Sequence, residues 1–271
     1  MPQLHFYNDP IPLEKTKHVN LKIDREPNFD YAEHVNSVPV AGMEFFKSSR
    51  HFPVVFVKNK DDSYIPIAML SLRPSGHDYG NKWEDKYVPN YIRRYPFVLS
   101  NDGLVLVDSE AKQLSEDKGE ALFLEGGEAT DTLKEIVSYL EQLQVSYNIT
   151  EEFTKALVEK DMLEPFSPSV KIGGATINLG ELYIISEKKL VELNEKESYE
   201  WLRKGWIAWS YAHLHSLEAI NILVRLLVKN GMPTEGMQAE PAAAANGAAA
   251  NEAPAANETP ANDENGKPST D

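Results

Sequence analysis

The C-terminal part of the chain limits what can fold, because it lacks the residues that build a core. Between positions 239 and 271 there is no aromatic residue and no leucine, isoleucine or valine. Such a segment cannot bury enough apolar surface to offset the conformational entropy that ordering removes. Its prolines also interrupt the alanine runs that could otherwise form a long helix. The sequence therefore predicts one folded domain over residues 1–233 and a disordered, acidic tail, rich in Ala, Pro and Asn, over residues 234–271.

The charge of the chain argues against nucleic acid as a partner. The net charge is −15 at neutral pH, and residues 235–271, with seven acids and one lysine, carry −6 of it. The remaining −9 lies on the predicted domain, so both parts of the protein would repel a phosphate backbone. We expect a protein or peptide partner instead, and the sequence leaves the oligomeric state open.

Cysteine usage, targeting signals and apolar spans bound the chemistry and the compartment. The chain has no cysteine, which excludes disulfides, thiolate metal sites and a cysteine nucleophile. Its first ten residues contain neither a basic start nor an apolar run, so they do not resemble a signal peptide. No stretch approaches the roughly 18 apolar residues of a membrane helix. We therefore expect a soluble cytoplasmic protein that does not insert into membranes.

The N-terminal half shows the residue pattern of antiparallel strands. Two apolar runs, Pro53–Lys58 and Tyr64–Leu72, are separated by a polar loop and predict a hairpin. Two more, Tyr95–Ser100 and Leu104–Asp108, are joined by Asn-Asp-Gly and predict a second hairpin. These runs are rich in Val, Ile, Tyr and Phe, the residues that β-sheets favour.

The C-terminal half shows the periodicity of helices. Thr132 can cap a helix that continues through Leu143, and Thr150 can cap a second helix that ends near Lys160. Apolar residues at spacings of three and four predict a long last helix over about 198–229.

Two β segments interrupt this helical half. Gly-Gly within Lys171–Leu179 predicts a small hairpin, and Leu182–Ile185 predicts a short strand. The fold class predicted from all elements is α+β, with a mainly antiparallel sheet from the N-terminal half packed against helices from the C-terminal half.

The chain lacks the sequence signatures of common catalytic sites. It has no G-x-S-x-G, no P-loop, no G-x-G-x-x-G after a strand and no H-E-x-x-H. His77 directly precedes Asp78, whereas a site of two histidines and one carboxylate usually places one residue between its first histidine and its acid. His213 falls among the regularly spaced apolar residues of the predicted last helix and is interpreted as a hydrogen-bonded core histidine. The sequence thus predicts no metal ligand, no cofactor and no catalytic residue.

The most unusual stretch is residues 85–97, which contains three tyrosines, one phenylalanine, two prolines and two adjacent arginines. Arginine beside aromatic rings suits stacking and the bidentate recognition of a carboxylate. A structural interpretation stays open, in which the arginines pair with acids of the domain and the rings pack beneath them. The residues that we predict to bind a partner are Trp83, Tyr91, Arg93, Arg94 and Tyr95, together with His77.

Arg93 and Arg94 are expected to have different environments. Adjacent residues on a strand point to opposite faces, so the two side chains cannot both face one pocket. We expect buried acids or backbone carbonyls to hold one of them, and the other to reach solvent or a ligand.

Four blocks of the sequence resemble the SapC family. They are Phe52–Phe56, Pro89-x-Tyr91-Ile92-Arg93-Arg94-Tyr95-Pro96-Phe97, Gly180–Tyr183 and Tyr211–Leu217, and His18 after Pro12-Leu13 also fits. The resemblance implies a link to surface-layer protein export and a gene neighbourhood with TonB-dependent receptors and cupin-like dioxygenases. It carries no catalytic residue onto this chain, which has Asp108-Ser109 where the family often has an acidic pair.

The leading hypothesis is a non-catalytic binding or accessory protein that recognises a protein or peptide segment through the Tyr-Ile-Arg-Arg-Tyr region. It would serve surface-layer or TonB-dependent-receptor-related protein export or modification. The alternative is an enzyme of unrecognised type, a metal-dependent oxygenase-like protein or its partner, which acts on peptides with His77, Asp78 and a distant histidine.

Overall fold

The structure is a computed structural model that describes residues 4–231, apart from position 82 and positions 173–174. The tail predicted at 234–271 lies outside the described residues. The strands are β1 (Pro10–Pro12), β2 (Lys22–Ile23), β3 (Ser37–Pro39), β4 (Val54–Lys58), β5 (Tyr64–Met69), β6 (Phe97–Leu99), β7 (Val105–Asp108), β8 (Leu114–Ser115), β9 (Glu120–Ala121), β10 (Leu163–Phe166), β11 (Ser169–Ile172), β12 (Ala175–Asn178) and β13 (Leu182–Ile185). The helices are α1 (Phe45–Ser48), α2 (Asn90–Arg93), α3 (Asp131–Glu159), α4 (Glu187–Val191), α5 (Glu195–Lys204), α6 (Trp206–Ser216) and α7 (Ile220–Lys229), with 3-10 turns at Asp30–Ala32, Gly42–Glu44 and Leu217–Ala219.

A five-stranded antiparallel sheet forms the centre of the domain. Its strand order is β10-β13-β4-β5-β3, so segments that are distant in sequence flank the β4–β5 hairpin. The hairpin predicted from the two apolar runs is confirmed, with Val55 opposite Ile67.

Both faces of this sheet are covered. Val54 and Phe56 of β4 pack in a core that also contains residues of α3 and α6, whereas Val55 and Val57 pack in a second core with the β11–β12 hairpin and α7. Because alternate side chains of a strand point to opposite faces, a strand covered on both sides must be apolar throughout. That requirement explains why the first four residues of β4, positions 54–57, are all apolar.

Smaller sheets surround the central one. The second predicted hairpin, β6–β7, is confirmed and gains β1 as a third strand, in the order β1-β7-β6. A three-stranded sheet of order β8-β2-β9 and the two-stranded β11–β12 sheet complete the β structure of the described residues.

One long helix replaces the two that were predicted around Thr150. The helix α3 runs for 29 residues, and Thr130 caps it by accepting a backbone N–H of the first turn at 3.2 Å. Thr150 lies inside the helix, where its hydroxyl donates to the carbonyl of Ser146 at 2.6 Å and accepts the N–H of Gly42 at 2.8 Å. The prediction was wrong because a threonine hydroxyl can bond within a helix as well as cap one.

The single last helix predicted over 198–229 is also wrong, because Gly205 divides it. Asn194 begins α5 with a reciprocal pair of hydrogen bonds to Glu197. Gly205 has a φ of 77°, a left-handed conformation that glycine adopts readily, and it separates α5 from α6. A 3-10 turn then separates α6 from α7.

The predicted fold class is confirmed: antiparallel sheets come mainly from the N-terminal half and helices mainly from the C-terminal half. Within the described part of the chain, none of the helices combines the length and the apolar character that crossing a bilayer requires.

Candidate functional site

The predicted binding segment forms a turn of helix rather than a strand. The helix α2 begins after Pro89, and Arg94 keeps a helical conformation at its end. Glu44 holds this turn, because its Oε1 accepts the backbone N–H of Asn90 and the hydroxyl of Tyr87, both at 2.8 Å. Burial raises the pKa of the Glu44 carboxyl, and these hydrogen bonds oppose that effect. The expectation that both arginines lie on a strand is therefore wrong.

The two arginines nevertheless have different environments. Arg93 is exposed; its Nη2 donates to Oδ1 of Asn90 at 2.9 Å, and its guanidinium lies 5.8 Å from the ring centre of Tyr139. Arg94 is only 6% exposed, and its guanidinium lies 4.3 Å from the ring centre of Tyr91 and 5.8 Å from that of Tyr7. Neighbouring residues on a helix differ in direction by about 100°, which is enough to separate the two side chains.

The partners of the buried arginine differ from those expected. We expected acids or backbone carbonyls, but Nε and Nη2 of Arg94 have no hydrogen-bond partner among the described residues. Within the same residues no carboxylate forms an ion pair with it. Tyrosine rings contact the guanidinium instead.

A cluster of aromatic rings, the tyrosine cluster, surrounds this arginine and consists of Tyr7, Tyr31, Tyr91 and Tyr95 with Phe6. Tyr31 stacks on Tyr95 with ring centres 4.1 Å apart, and Tyr7 meets Tyr95 edge-on at 5.1 Å. Burial is the main cause that raises the pKa of the hydroxyls of Tyr7, Tyr31 and Tyr95. These phenols therefore remain protonated and act as hydrogen-bond donors at neutral pH.

Asp108 connects the N-terminal segment to this cluster. Its buried carboxylate accepts the backbone N–H groups of Asn8 at 3.1 Å and Asp9 at 3.0 Å, and the hydroxyl of Tyr95 at 2.9 Å. Asp108 therefore positions Tyr95 and the backbone of Asn8 and Asp9.

A groove of about 360 Å³ runs beside the cluster. Its walls come from the segment 23–31, the segment 93–97, Gln113 and the first turns of α3. Arg93, Arg94 and Tyr95 line it, as do three residues that the sequence did not single out: Tyr31, Gln113 and Tyr139. These three are distant from the motif along the chain, so no local pattern could have found them.

The other predicted site residues do not line the groove. Tyr91 is 0% exposed and lies beneath Arg94, in the core. Trp83 is 2% exposed and packs against His77 at 4.9 Å and Tyr79 at 5.0 Å between ring centres. Burial lowers the pKa of His77 to about 4. In this conformation Tyr91 and Trp83 support the surface and cannot contact a partner directly.

The metal-dependent alternative has no ligand set in the described part of the chain. Asp78, which was to join His77 in such a site, instead accepts Nε of Arg73 at 3.0 Å. No three histidine, aspartate or glutamate side chains among the described residues lie together as metal ligands would. His213 is the hydrogen-bonded core histidine that the sequence predicts, between Val54 and Ile185.

The sequence was compared with family models and with known proteins. A model of the SapC family matches residues 13–223. No curated protein and no solved structure matches the chain. The matched region contains all the blocks that carried the resemblance, together with the tyrosine cluster from Tyr31 onward and the walls of the groove. Because the match covers most of the chain, the protein belongs to the SapC family.

Proposed function

We propose that this protein is a non-catalytic binding protein whose groove recognises a segment of another protein or a peptide. The observation that carries the proposal is the composition of the groove wall. An exposed arginine, Arg93, lines this wall together with Tyr31, Tyr95 and Tyr139. Tyrosine and arginine are the residue types that most often dominate the energy of protein recognition.

The size and the rim of the groove suit this role. Its volume of about 360 Å³ falls in the range of specific ligand sites, about 300–1,000 Å³. The rim carries Arg25, which pairs with Glu135 at 3.3 Å and Glu120 at 3.4 Å, and these exposed charges can exchange partners at little cost. An aromatic wall within a charged rim is the common anatomy of a protein-binding surface.

The biological setting is also part of the proposal. The resemblance supports a role in surface-layer or TonB-dependent-receptor-related protein export or modification, and we propose that the protein acts in the cytoplasm.

Peptide display against the purified protein, followed by fluorescence anisotropy of the selected peptides, tests the proposal. We expect Arg93→Ala to weaken binding at least about tenfold, as loss of a central contact does. The variant should keep the stability of the wild type within about 1 kcal/mol, because Arg93 is exposed. Tyr139→Phe removes the hydroxyl that donates to Oδ1 of Asn90 at 3.2 Å beside the groove. This variant should weaken the binding of peptides that contact the hydroxyl.

Matched controls come from α5, where Arg203 and Tyr199 are exposed and outside the groove. Arg203→Ala and Tyr199→Phe should bind the peptides as the wild type does. Selected peptides that bind Arg93→Ala as tightly as the wild type would show that the groove is not the binding surface.

A further inference from the structure

The guanidinium of Arg94 is buried without a counter-ion among the described residues. The side chain is 6% exposed, and both Nε and Nη2 lack a hydrogen-bond partner there. The faces of Tyr91 and Tyr7 attract the cation, and the hydroxyl of Tyr7 also lies within its reach, but Nε and Nη2 themselves have no acceptor among the described residues. A buried charge with unmet donors is costly unless something else supplies the acceptors. The tyrosine cluster is therefore incomplete as it stands.

The chemistry of the unmet groups defines what would complete it. Nε–H and Nη2–H lie side by side on one edge of the guanidinium, and this pair of parallel donors fits the two oxygens of a carboxylate. Tyr147 adds a third group, because its buried hydroxyl also has no partner among the described residues. Burial raises the pKa of Tyr147 well above its usual value, while Arg94 opposes the shift. The hydroxyl therefore stays protonated and can donate.

The charge balance favours an anion with a single charge. Burial, and next the charge of Arg94, lower the pKa of His5 to about 4, so this neighbour is neutral at neutral pH. Arg93 points its guanidinium toward Asn90 and Tyr139 instead. Arg94 thus contributes one positive charge to the cluster, and the buried carboxylate of Asp108 bonds to Tyr95 and to backbone N–H groups rather than to Arg94. A carboxylate would balance it, whereas a doubly charged phosphate would leave a buried negative charge unpaired.

The position of Arg94 gives such a ligand a route. Arg94 lines the groove together with Tyr95, Tyr31 and Tyr139, whereas its Nε and Nη2 atoms are buried behind the wall, so a ligand from the groove reaches them once neighbouring side chains move aside. Gln113 lies in the same wall, and its buried Oε1 has no partner in the described residues. This oxygen can accept an N–H group of the ligand that carries the carboxylate.

We propose that Arg94 is a carboxylate-binding residue, and that its Nε–Nη2 edge binds the carboxylate of a ligand that enters from the groove. The carboxylate comes either from a small organic acid or from an acidic side chain of a bound peptide. The peptide source rests on the proposed function; the carboxylate site does not.

NMR of protein labelled with ¹⁵N-arginine tests the site directly. The Nε–Hε signal of Arg94, assigned by its loss in Arg94→Lys, should shift saturably when acetate replaces chloride at constant ionic strength and neutral pH. The signal of Arg93, one residue away and exposed, should not follow the same curve. An Arg94 signal that acetate leaves unmoved in the folded protein overturns the proposal.

Thermal unfolding provides a second measurement with a matched pair of variants. A ligand that binds only the folded state raises the melting temperature with its concentration. Acetate should therefore raise the Tm of the wild type and of Arg93→Met relative to chloride, and should not raise that of Arg94→Met. An equal rise in Arg94→Met would refute the assignment. The NMR titration remains decisive if Arg94→Met does not fold.

Two blocked peptides, acetyl-Ala-Asp-Ala-amide and acetyl-Ala-Asn-Ala-amide, distinguish the sources. If the ligand is a peptide, the Asp peptide should shift the Arg94 signal at a concentration at least about tenfold lower than acetate, and the Asn peptide should not. A shift with acetate but not with the Asp peptide would support a small-acid site and count against peptide binding. A third outcome is that peptides bind the groove and require Arg93, while neither these peptides nor acetate shifts the Arg94 signal. That result would leave the proposed function standing and would refute this inference.

Discussion

Replacing His213 by glutamine should remove part of the sensitivity of the fold to acid. The imidazole is fully buried between two strands of the central sheet, and one nitrogen lies 2.8 Å from the carbonyl of Val54. The other accepts the N–H of Ile185 at 3.1 Å, so the neutral ring donates to one strand and accepts from the next. A second proton on the ring would place an N–H against an N–H and a charge in the core.

The sign and size of the effect follow from the pKa. Burial is the main cause that lowers the pKa of His213 from its ordinary 6.5 to about 4. Between these values the unfolded chain binds the proton and the folded chain does not, so stability is present above about pH 6.5 and falls as the pH drops toward 4. From this difference we expect His213 to remove about 2 kcal/mol of unfolding free energy by pH 5, and about 3 kcal/mol by pH 4.

Urea unfolding at about pH 7.5 and pH 5 measures this difference. The wild type should lose about 2 kcal/mol more than His213→Gln between the two conditions, whatever the cost of the substitution at the higher pH. His215→Gln, a change of an exposed histidine on the same helix, should keep the wild-type difference. Comparing the pH dependence of the wild type with that of each variant removes the contribution of the other titrating groups, which all three proteins share. Equal pH dependence in the wild type and His213→Gln would refute the reasoning.

Three further perturbations have expected outcomes in the free energy of unfolding. Deleting residues 234–271 should change it by less than about 0.5 kcal/mol, and a larger loss in urea titration would mean that this segment packs on the domain. Gly42→Ala should cost about 1–3 kcal/mol, since its methyl would lie 2.3 Å from Cε3 of Trp209. Thermal melts of Gly42→Ala, Trp209→Ala and the double variant should show non-additive losses of stability, and additive losses would contradict the contact. Asp108→Asn should cost about 1–3 kcal/mol, because each carboxylate oxygen accepts two donors and the NH2 group would replace one of these oxygens. An unchanged Tm would show that the carboxylate is not needed there.

The hairpins could be predicted from the sequence because their signals are local. The apolar runs of β4 and β5 surround a polar loop, and β6 and β7 surround Asn-Asp-Gly, so neighbouring residues alone specify strand, turn and strand. The helix boundaries were less predictable. A threonine such as Thr150 has the same composition signal whether it caps a helix or bonds to a distant Gly42 inside one.

The site was predictable in part for the same reason. The unusual composition of residues 85–97 pointed to Arg93, Arg94 and Tyr95, which line the groove. The different environments of the two arginines were also expected, although a helical turn rather than a strand produces them. Tyr31 and Tyr139 reach the groove only through tertiary packing, and no pattern within one segment contains that information.

The hydrogen bonds of His213 also have a consequence for synthesis. They join β4 to a residue 159 positions later in the chain, and both faces of β4 are apolar. During synthesis β4 can pair with β5 at once, but its two apolar faces are covered completely only after α6 and α7 have been made. Contacts of such long sequence separation form slowly, and transiently exposed strands invite aggregation. We therefore expect the domain to complete its fold only after α7 has been synthesised.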